Sequence, residues 1–321
     1  TFRGSHLPHV FDLTEAVRGG ARKLRIIFDS PPRWLGQIGR TSEMTEFKTR
    51  FNYTLDWIPR LVQIGVSDPL FIEVTDGVEL GEVRCVTEAA DRLRVWSRDP
   101  LPLGCKIALS LVGTEGVVRE GRFSSDEFYR GICWEKLKVE KWWPNGHGKQ
   151  PLYNVVCKLI DSAGKIQDER SWRVGFRTIE WQQCDGAPEE ADPWVCVVNG
   201  KRIFLQGVNW PPVRPNTADV TSEDYRKLLK VYHEIGLNTF RVNGVGILEK
   251  PAFYDICDEL GLLVWQDFPL SSSGIDNMPP SDHQAVKEMS KIARSYIVRR
   301  QHHASLLLWC GGNELTDLMS R

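Results

Sequence analysis

Up to about residue 200 apolar and polar positions alternate in short runs; beyond it they recur at helical spacing or fill unbroken apolar stretches. Alternation puts successive side chains on opposite faces of an extended strand. It predicts strands at 23–28, 70–74, 92–96, 106–111, 134–139 and 153–160, with a short turn of helix or loop at 12–20. Asp76-Gly77, Pro144-Asn145-Gly146 and Ser162-Ala163-Gly164 are turn signals between them. Strands at this spacing suit two β-sandwiches with a break near 76–80. Polar, Pro- and Gly-bearing residues 184–193 read as a linker.

The second pattern reads as strand, helix, strand, helix. A strand is expected at 202–205, running into Gly207-Val208-Asn209-Trp210-Pro211-Pro212. Thr221 to Asp224 forms a capping box ahead of a helix whose apolar face is Tyr225, Leu228, Leu229, Tyr232 and Ile235. Strands follow at 238–242, 262–265 and 305–309. Helices lie between them, one opened by Pro251 and closed by Gly261, the other carrying Val286, Met289, Ile292, Ala293 and Tyr296. Near-continuous apolar strands are buried on both faces, as in a parallel sheet. An open doubly wound sheet and half of a (β/α)8 barrel both satisfy the pattern. The first strand leads into no Gly-rich phosphate cradle, and Gly244-Val245-Gly246 is only a fragment of one, which favours the barrel.

Barrels present reactive groups at the C-terminal ends of their strands. Those ends carry Asn209 and Trp210, Arg241 and Asn243, Gln266 and Asp267, and Asn313 and Glu314. Such a set suits a polyhydroxylated ligand, which needs many hydrogen-bonding groups and an aromatic platform. Glu314 follows a buried strand through Cys310-Gly311-Gly312. A carboxyl there is expected to be partly desolvated, which would keep it protonated for acid catalysis. The plainer alternative makes it a cap for a following helix. Arg241 could equally be a structural ion pair, Asp267 a loop cap, and Trp142, Trp143 and Trp265 core packing. His302-His303 is no metal pair, since adjacent residues do not face one site.

Composition narrows the classes. The 321 residues carry a formal net charge of −1, so there is no electrostatic footprint for nucleic acid or an anionic membrane. The 8 Cys include no C-x-x-C pair, which argues against a zinc site and for buried thiols in a reducing compartment. A cytoplasmic setting is therefore expected, with periplasmic, secreted or lysosomal ones as alternatives.

Trp309-Cys310-Gly311-Gly312-Asn313-Glu314 resembles the acid/base motif of glycoside hydrolase family 2, in its β-mannosidase branch. Residues 207–212 and 253–268 resemble that family's first- and third-strand segments. Trp142 to Gly146 and Gln150 to Tyr153 resemble its middle sandwich. Asp56-Trp57 with Pro59-Arg60 resembles a first-domain segment that reaches the active site. The resemblance implies a partial jelly-roll sugar-binding-like sandwich over 1–77, an immunoglobulin-like sandwich over 78–182, and the first half of a (β/α)8 TIM barrel over 183–321. It implies a retaining exo-β-glycosidase acting on terminal β-D-mannose, with Glu314 as general acid/base and Asn313 on the 2-hydroxyl. Trp210, Asp56 and Trp57 would shape the glycone pocket, alongside Asn209, Arg241, Asn243 and Asp267. No metal or organic cofactor is implied, and the expected partner is a β-linked oligosaccharide or glycoside. The family's nucleophile lies on a later strand, so residues 1–321 alone are expected to lack the C-terminal barrel half and to be inactive. Asn243 stands where the family has Trp, and Leu55 and Ile58 also depart from its pattern beside Asp56. These changes leave β-galactosidase, β-glucuronidase, exo-glucosaminidase or a non-catalytic carbohydrate-binding relative as rivals.

Overall fold

The computed structural model describes residues 2, 4–33, 35, 39–54, 58–102 and 104–316. Among them the first 77 do not form the expected partial sandwich. They hold one short helix, α1 (Thr14–Arg18), one two-residue strand, β1 (Gly39–Arg40), and 3₁₀ turns at Thr41–Glu43 and Arg50–Asn52. The stretches 23–28 and 70–74 are not strands; Ile27, Phe71 and Val74 are 75%, 74% and 92% exposed. Apolar alternation supplies a face but no pairing partner. A lone extended segment leaves its amides to water and gains little from β geometry.

The central domain is the expected sandwich. One sheet contains β2 (Val83–Ala89), β3 (Arg92–Ser97) and β6 (Ile132–Trp134). The other, in spatial order, is β5 (Gly116–Ser124), β4 (Lys106–Gly113), β7 (Tyr153–Ile160) and β8 (Ile166–Val174), all antiparallel. The inward residues of β4 and β7 are Ile107, Leu109, Leu111, Val155, Cys157 and Leu159, each at most 1% exposed. Of the strand expected at 134–139 only Trp134 belongs to one, the last residue of β6; α2 (Ser125–Arg130) precedes that strand, and Lys136 follows it at φ 53°.

Residues 184–193 do not separate domains. They close a hairpin between β9 (Ile179–Gln182) and β10 (Val195–Val198), and β11 (Lys201–Ile203) completes that antiparallel sheet. The strand expected at 202–205 belongs to this sheet. The first parallel strand is instead β12 (Gly207–Trp210), followed in spatial order by β13 (Thr239–Val242), β14 (Leu263–Asp267) and β16 (Leu306–Cys310). β15 (Gly274–Asp276) lies outside it and pairs with β1. Strand order follows chain order with no reversal, which is barrel topology and not a doubly wound sheet.

Helices α3 (Ser222–Glu234), α4 (Pro251–Leu260) and α5 (His283–Arg300) follow β12, β13 and β14. Thr221 and Asp224 make the reciprocal capping box, Pro251 occupies the first turn of α4, and Gly261 ends it at φ 72°. Tyr225, Leu229, Phe253, Ile256, Ile292 and Tyr296 seal the helices onto the sheet, each such burial worth about 1.5–3 kcal/mol. Val286 and Ile235 fall off that face and are exposed. Trp142 and Asn145 dock the sandwich on these helices. The Trp142 Nε1 donates to Asp258 O at 2.8 Å, and the Asn145 Nδ2 donates to His233 O and Leu237 O at 3.0 and 2.9 Å. These carbonyls lie near helix C-termini, where intrahelical donors run out. No described helix is long and apolar enough to cross a membrane.

Candidate active site

Register decides which strand-end side chains share a face. Asn209 lies opposite Arg241, Arg241 opposite Trp265, and Trp265 opposite Leu308. Side chains alternate along a strand, so these residues and Asp267 face one side. Trp210, Val242, Gln266 and Trp309 face the helices.

Trp210 is therefore not a pocket residue. It is 3% exposed, packs against Phe240 and Phe253, and donates from Nε1 to Glu249 Oε1 at 3.1 Å. Gln266 likewise accepts from Tyr254 Oη behind the sheet. The aromatic on the open face is Trp265, partly exposed, with the Arg241 guanidinium 5.7 Å over its ring.

Arg241 organises this face. Its Nη2 and Nε donate to the two Asp267 carboxylate oxygens at 2.8 and 3.3 Å. Asp267 also accepts from Gly244 N at 3.1 Å and Trp265 Nε1 at 2.9 Å. Burial pushes the Asp267 carboxyl above its ordinary value, and the Arg241 pair and the Gly244 amide pull part of that back. Arg241 also reaches Asn209 Oδ1 at 3.5 Å.

Asn313 is oriented by donors. Its Oδ1 accepts from Arg241 Nη2 at 3.1 Å and Asn243 Nδ2 at 3.0 Å. A guanidinium cannot accept, so the amide oxygen must point there. The Asn313 Nδ2 donates to Ser271 Oγ at 3.0 Å, and its second N–H has no partner among the described residues. Glu314 follows at φ 53°, a left-handed conformation that costs a non-glycine residue about 1–2 kcal/mol. Its Oε2 accepts from Ser272 Oγ at 2.7 Å. The desolvation expected of Glu314 is not seen in this chain, where the residue is exposed.

The structure thus gathers Asn209, Arg241, Asn243, Asp267, Asn313 and Glu314 and sends Trp210 elsewhere. Asp56 and Trp57 lie outside the described residues. Sequence reasoning missed Ser271 and Ser272; the only signal was a run of hydroxyls directly after a strand end. His303 does have a carboxylate partner, Asp258 Oδ2 at 2.7 Å. Asp255, Asp258 and His303 gather closely enough to hold a metal. Their atoms are already engaged, however: Ser305 N donates to Asp258 Oδ1 at 2.7 Å, and Arg173 pairs with Asp255 at 3.4 Å.

Comparison with known proteins bears on the family. Residues 192–319 match the family model "Glycosyl hydrolases family 2, TIM barrel domain", and residues 112–177 match "Glycosyl hydrolases family 2". A β-mannosidase of Rattus norvegicus is 36% identical over 180 residues, covering 56% of this chain and 20% of that protein. β-Mannosidase B of Aspergillus clavatus is 30% identical over 335 residues, covering 96% of this chain and 38% of that one. The crystal structure of a β-D-mannosidase from Dictyoglomus thermophilum superposes with a TM-score of 0.70 at 26% identity, covering 93% of this chain and 36% of that one. The chain therefore spans well under half the length of these relatives.

Proposed function

Because the chain belongs to glycosyl hydrolase family 2, we propose that its strand-end face is the acid/base half of a retaining exo-β-mannosidase site. The observation that carries this reading is the pair Asn313-Glu314, held at a strand end by Arg241, Asn243, Ser271 and Ser272. Glu314 donates its proton to the leaving oxygen as the glycosidic bond breaks. It then takes a proton from the water that releases the glycosyl-enzyme. A bound sugar ring covers Glu314 and supplies the desolvation that raises a carboxyl's affinity for its proton. Asn313 has one N–H to give, so it meets the sugar as a donor to a hydroxyl oxygen.

Retention needs a second carboxylate about 5–5.5 Å from the first. Asp267 is committed to Arg241, Gly244 and Trp265; the family resemblance implies a nucleophile on a later strand, and we assign it there. Turnover by a verified product of residues 1–321 alone would contradict this assignment.

One observation favours a different glycone. Asn243 spends its amide on Asn313, where the related motif carries a bulky Trp, so the pocket wall is smaller and more polar. A β-galactosidase, β-glucuronidase or exo-glucosaminidase specificity is the second reading. The test is hydrolysis of a panel of aryl β-glycosides by the protein as its gene encodes it, beside Glu314→Gln, with the first-formed anomer read by NMR. Cleavage of the mannoside with retention, lost in the variant, supports the first reading. Preference for another sugar supports the second, and no cleavage of any sugar overturns both.

A further inference from the structure

Arg50 lies far from the strand ends in sequence, yet it is 2% exposed and buried against the loop after β14. Its Nη1 donates to Ser271 O and, at 2.7 Å, to Ser272 O; its Nη2 donates to Ser273 Oγ at 2.7 Å. Three oxygens from three consecutive residues thus converge on one guanidinium. Neighbours in the same segment reinforce the hold: Thr41 Oγ1 and Ser273 Oγ are 2.6 Å apart, and Gly39 N donates to Ser273 O at 3.0 Å. The other side of the loop carries the candidate chemistry. Ser272 Oγ donates to Glu314 and Ser271 Oγ accepts from Asn313. Ser272 N also donates to Asn313 O at 2.9 Å, and Asn313 N to Leu270 O at 2.9 Å.

We propose that Arg50 is a positioning residue for Glu314, acting through Ser271 and Ser272; this rests on Glu314 being the general acid/base. A buried guanidinium is costly unless its donors are satisfied. Here Nη1 and Nη2 are spent on the one loop that touches both Asn313 and Glu314, with a further Nη2 contact to Met44 Sδ at 2.7 Å, while Nε has no partner among the described residues. A planar fork with fixed donor directions can span several oxygens at once, which the point charge of lysine cannot. With the fork removed, Ser272 loses its fixed place, and the Glu314 carboxyl loses the hydrogen bond that aims it at the leaving oxygen. In the step concerned the C1–O bond breaks, the Glu314 proton passes to the departing oxygen, and C1 bonds to the nucleophile's carboxylate. A poor leaving group needs that proton, whereas a dinitrophenolate leaves without it.

The experiment compares kcat/KM for phenyl and dinitrophenyl β-glycosides of the preferred sugar, in the protein as its gene encodes it. The variants are Arg50→Lys, Ser272→Ala and Glu314→Gln. General acid catalysis contributes on the order of 10²–10⁴-fold. Misplacing the acid in Arg50→Lys should therefore cost the phenyl glycoside roughly tenfold or more, with the dinitrophenyl glycoside nearly unchanged. Ser272→Ala, which leaves the buried clamp intact, should show the same selective loss. Equal losses on both substrates in Arg50→Lys, or no loss on either, overturn the proposal. Should Arg50→Lys fail to fold, Ser272→Ala decides: full activity on the phenyl glycoside overturns it. If Glu314→Gln loses both substrates equally, the acid/base assignment itself falls and takes the proposal with it. If Glu314→Gln is selective and the other two variants are not, only the proposal falls.

Discussion

Trp210 and Trp265 differ by strand parity, and that decides what each does. Trp210 closes β12 and Trp265 lies two residues before the end of β14, and the pleat turns Trp210 to the helices and Trp265 to the pocket. Trp210→Phe keeps most of the buried ring and removes the donor to Glu249, whose carboxylate is 3% exposed. Leaving that oxygen short of a partner should cost about 1–3 kcal/mol, measured by urea denaturation, with the ranking of glycosides unchanged. A changed ranking would return Trp210 to the pocket. Asp267→Asn makes the opposite kind of case. It removes the charge that holds Arg241, and Arg241 in turn orients Asn313. The Asp267 side chain is fully buried but Arg241 is 27% exposed, so water screens part of the loss. A destabilisation of about 1–3 kcal/mol is expected, together with a fall in kcat/KM on every sugar alike. Loss confined to one sugar would make Asp267 a recognition residue instead.

At the scale of elements, close backbone approach sets the site. A Cβ on Gly244 would lie 2.3 Å from Leu270 O and 2.9 Å from Phe268 O, both backbone atoms that cannot swing aside. One on Gly246 would have nothing nearer than 3.4 Å. Gly244→Ala should thus push the 268–271 backbone off Asn313, costing about 1–3 kcal/mol and most of the activity. Gly246→Ala should change neither by more than a small fraction, and equal effects in thermal melts and turnover would deny that the approach matters. The sequence could not show this, because Gly244 resembled a piece of phosphate loop as much as a close contact. It showed well what local chemistry decides: the capping box at Thr221, the Pro251 start and Gly261 stop of α4, and the apolar runs of β13, β14 and β16. It misplaced the first parallel strand by five residues, from 202 to 207, because β11 and β12 are two short strands almost in succession. Which one joins the parallel sheet depends on pairing with β10 or β13, a long-range choice. The stretches at 23–28 and 70–74 failed for the same reason, being apolar enough for strands but without a neighbour. The strand-end polar set was legible since barrel geometry fixes where it must be; Arg50 and Ser272 were not, since they meet only through the fold.

For the whole molecule, the first residues are tied to the barrel by few polar anchors, and one of them titrates. His6 is 6% exposed; its Nδ1 and the Tyr296 hydroxyl share a hydrogen bond of 3.0 Å, and that hydroxyl oxygen accepts from Leu248 N at 3.1 Å. Burial, with Lys48 and Arg299 adding positive charge, lowers the His6 pKa from 6.5 to about 3. His302 is lowered by burial too, in the same direction. The unfolded segment therefore binds a proton below pH 6.5 that the folded one refuses until near pH 3. Where the open state binds more protons, stability rises with pH. The anchor is thus at full strength above pH 6.5 and weakens as pH falls from there toward 3, by about 1.4 kcal/mol per pH unit at most. Between pH 7 and pH 5 this amounts to about 2 kcal/mol, or roughly a thirtyfold rise in opening of the segment around His6. Protease cleavage in that segment, compared between the natural protein and His6→Gln at each pH so that the protease's own pH response cancels, should show the natural protein losing protection on acidification. His6→Gln, having no proton to bind, should lose none on that account. Equal acid sensitivity in both would place the titrating anchor elsewhere, with His302 the next group to replace.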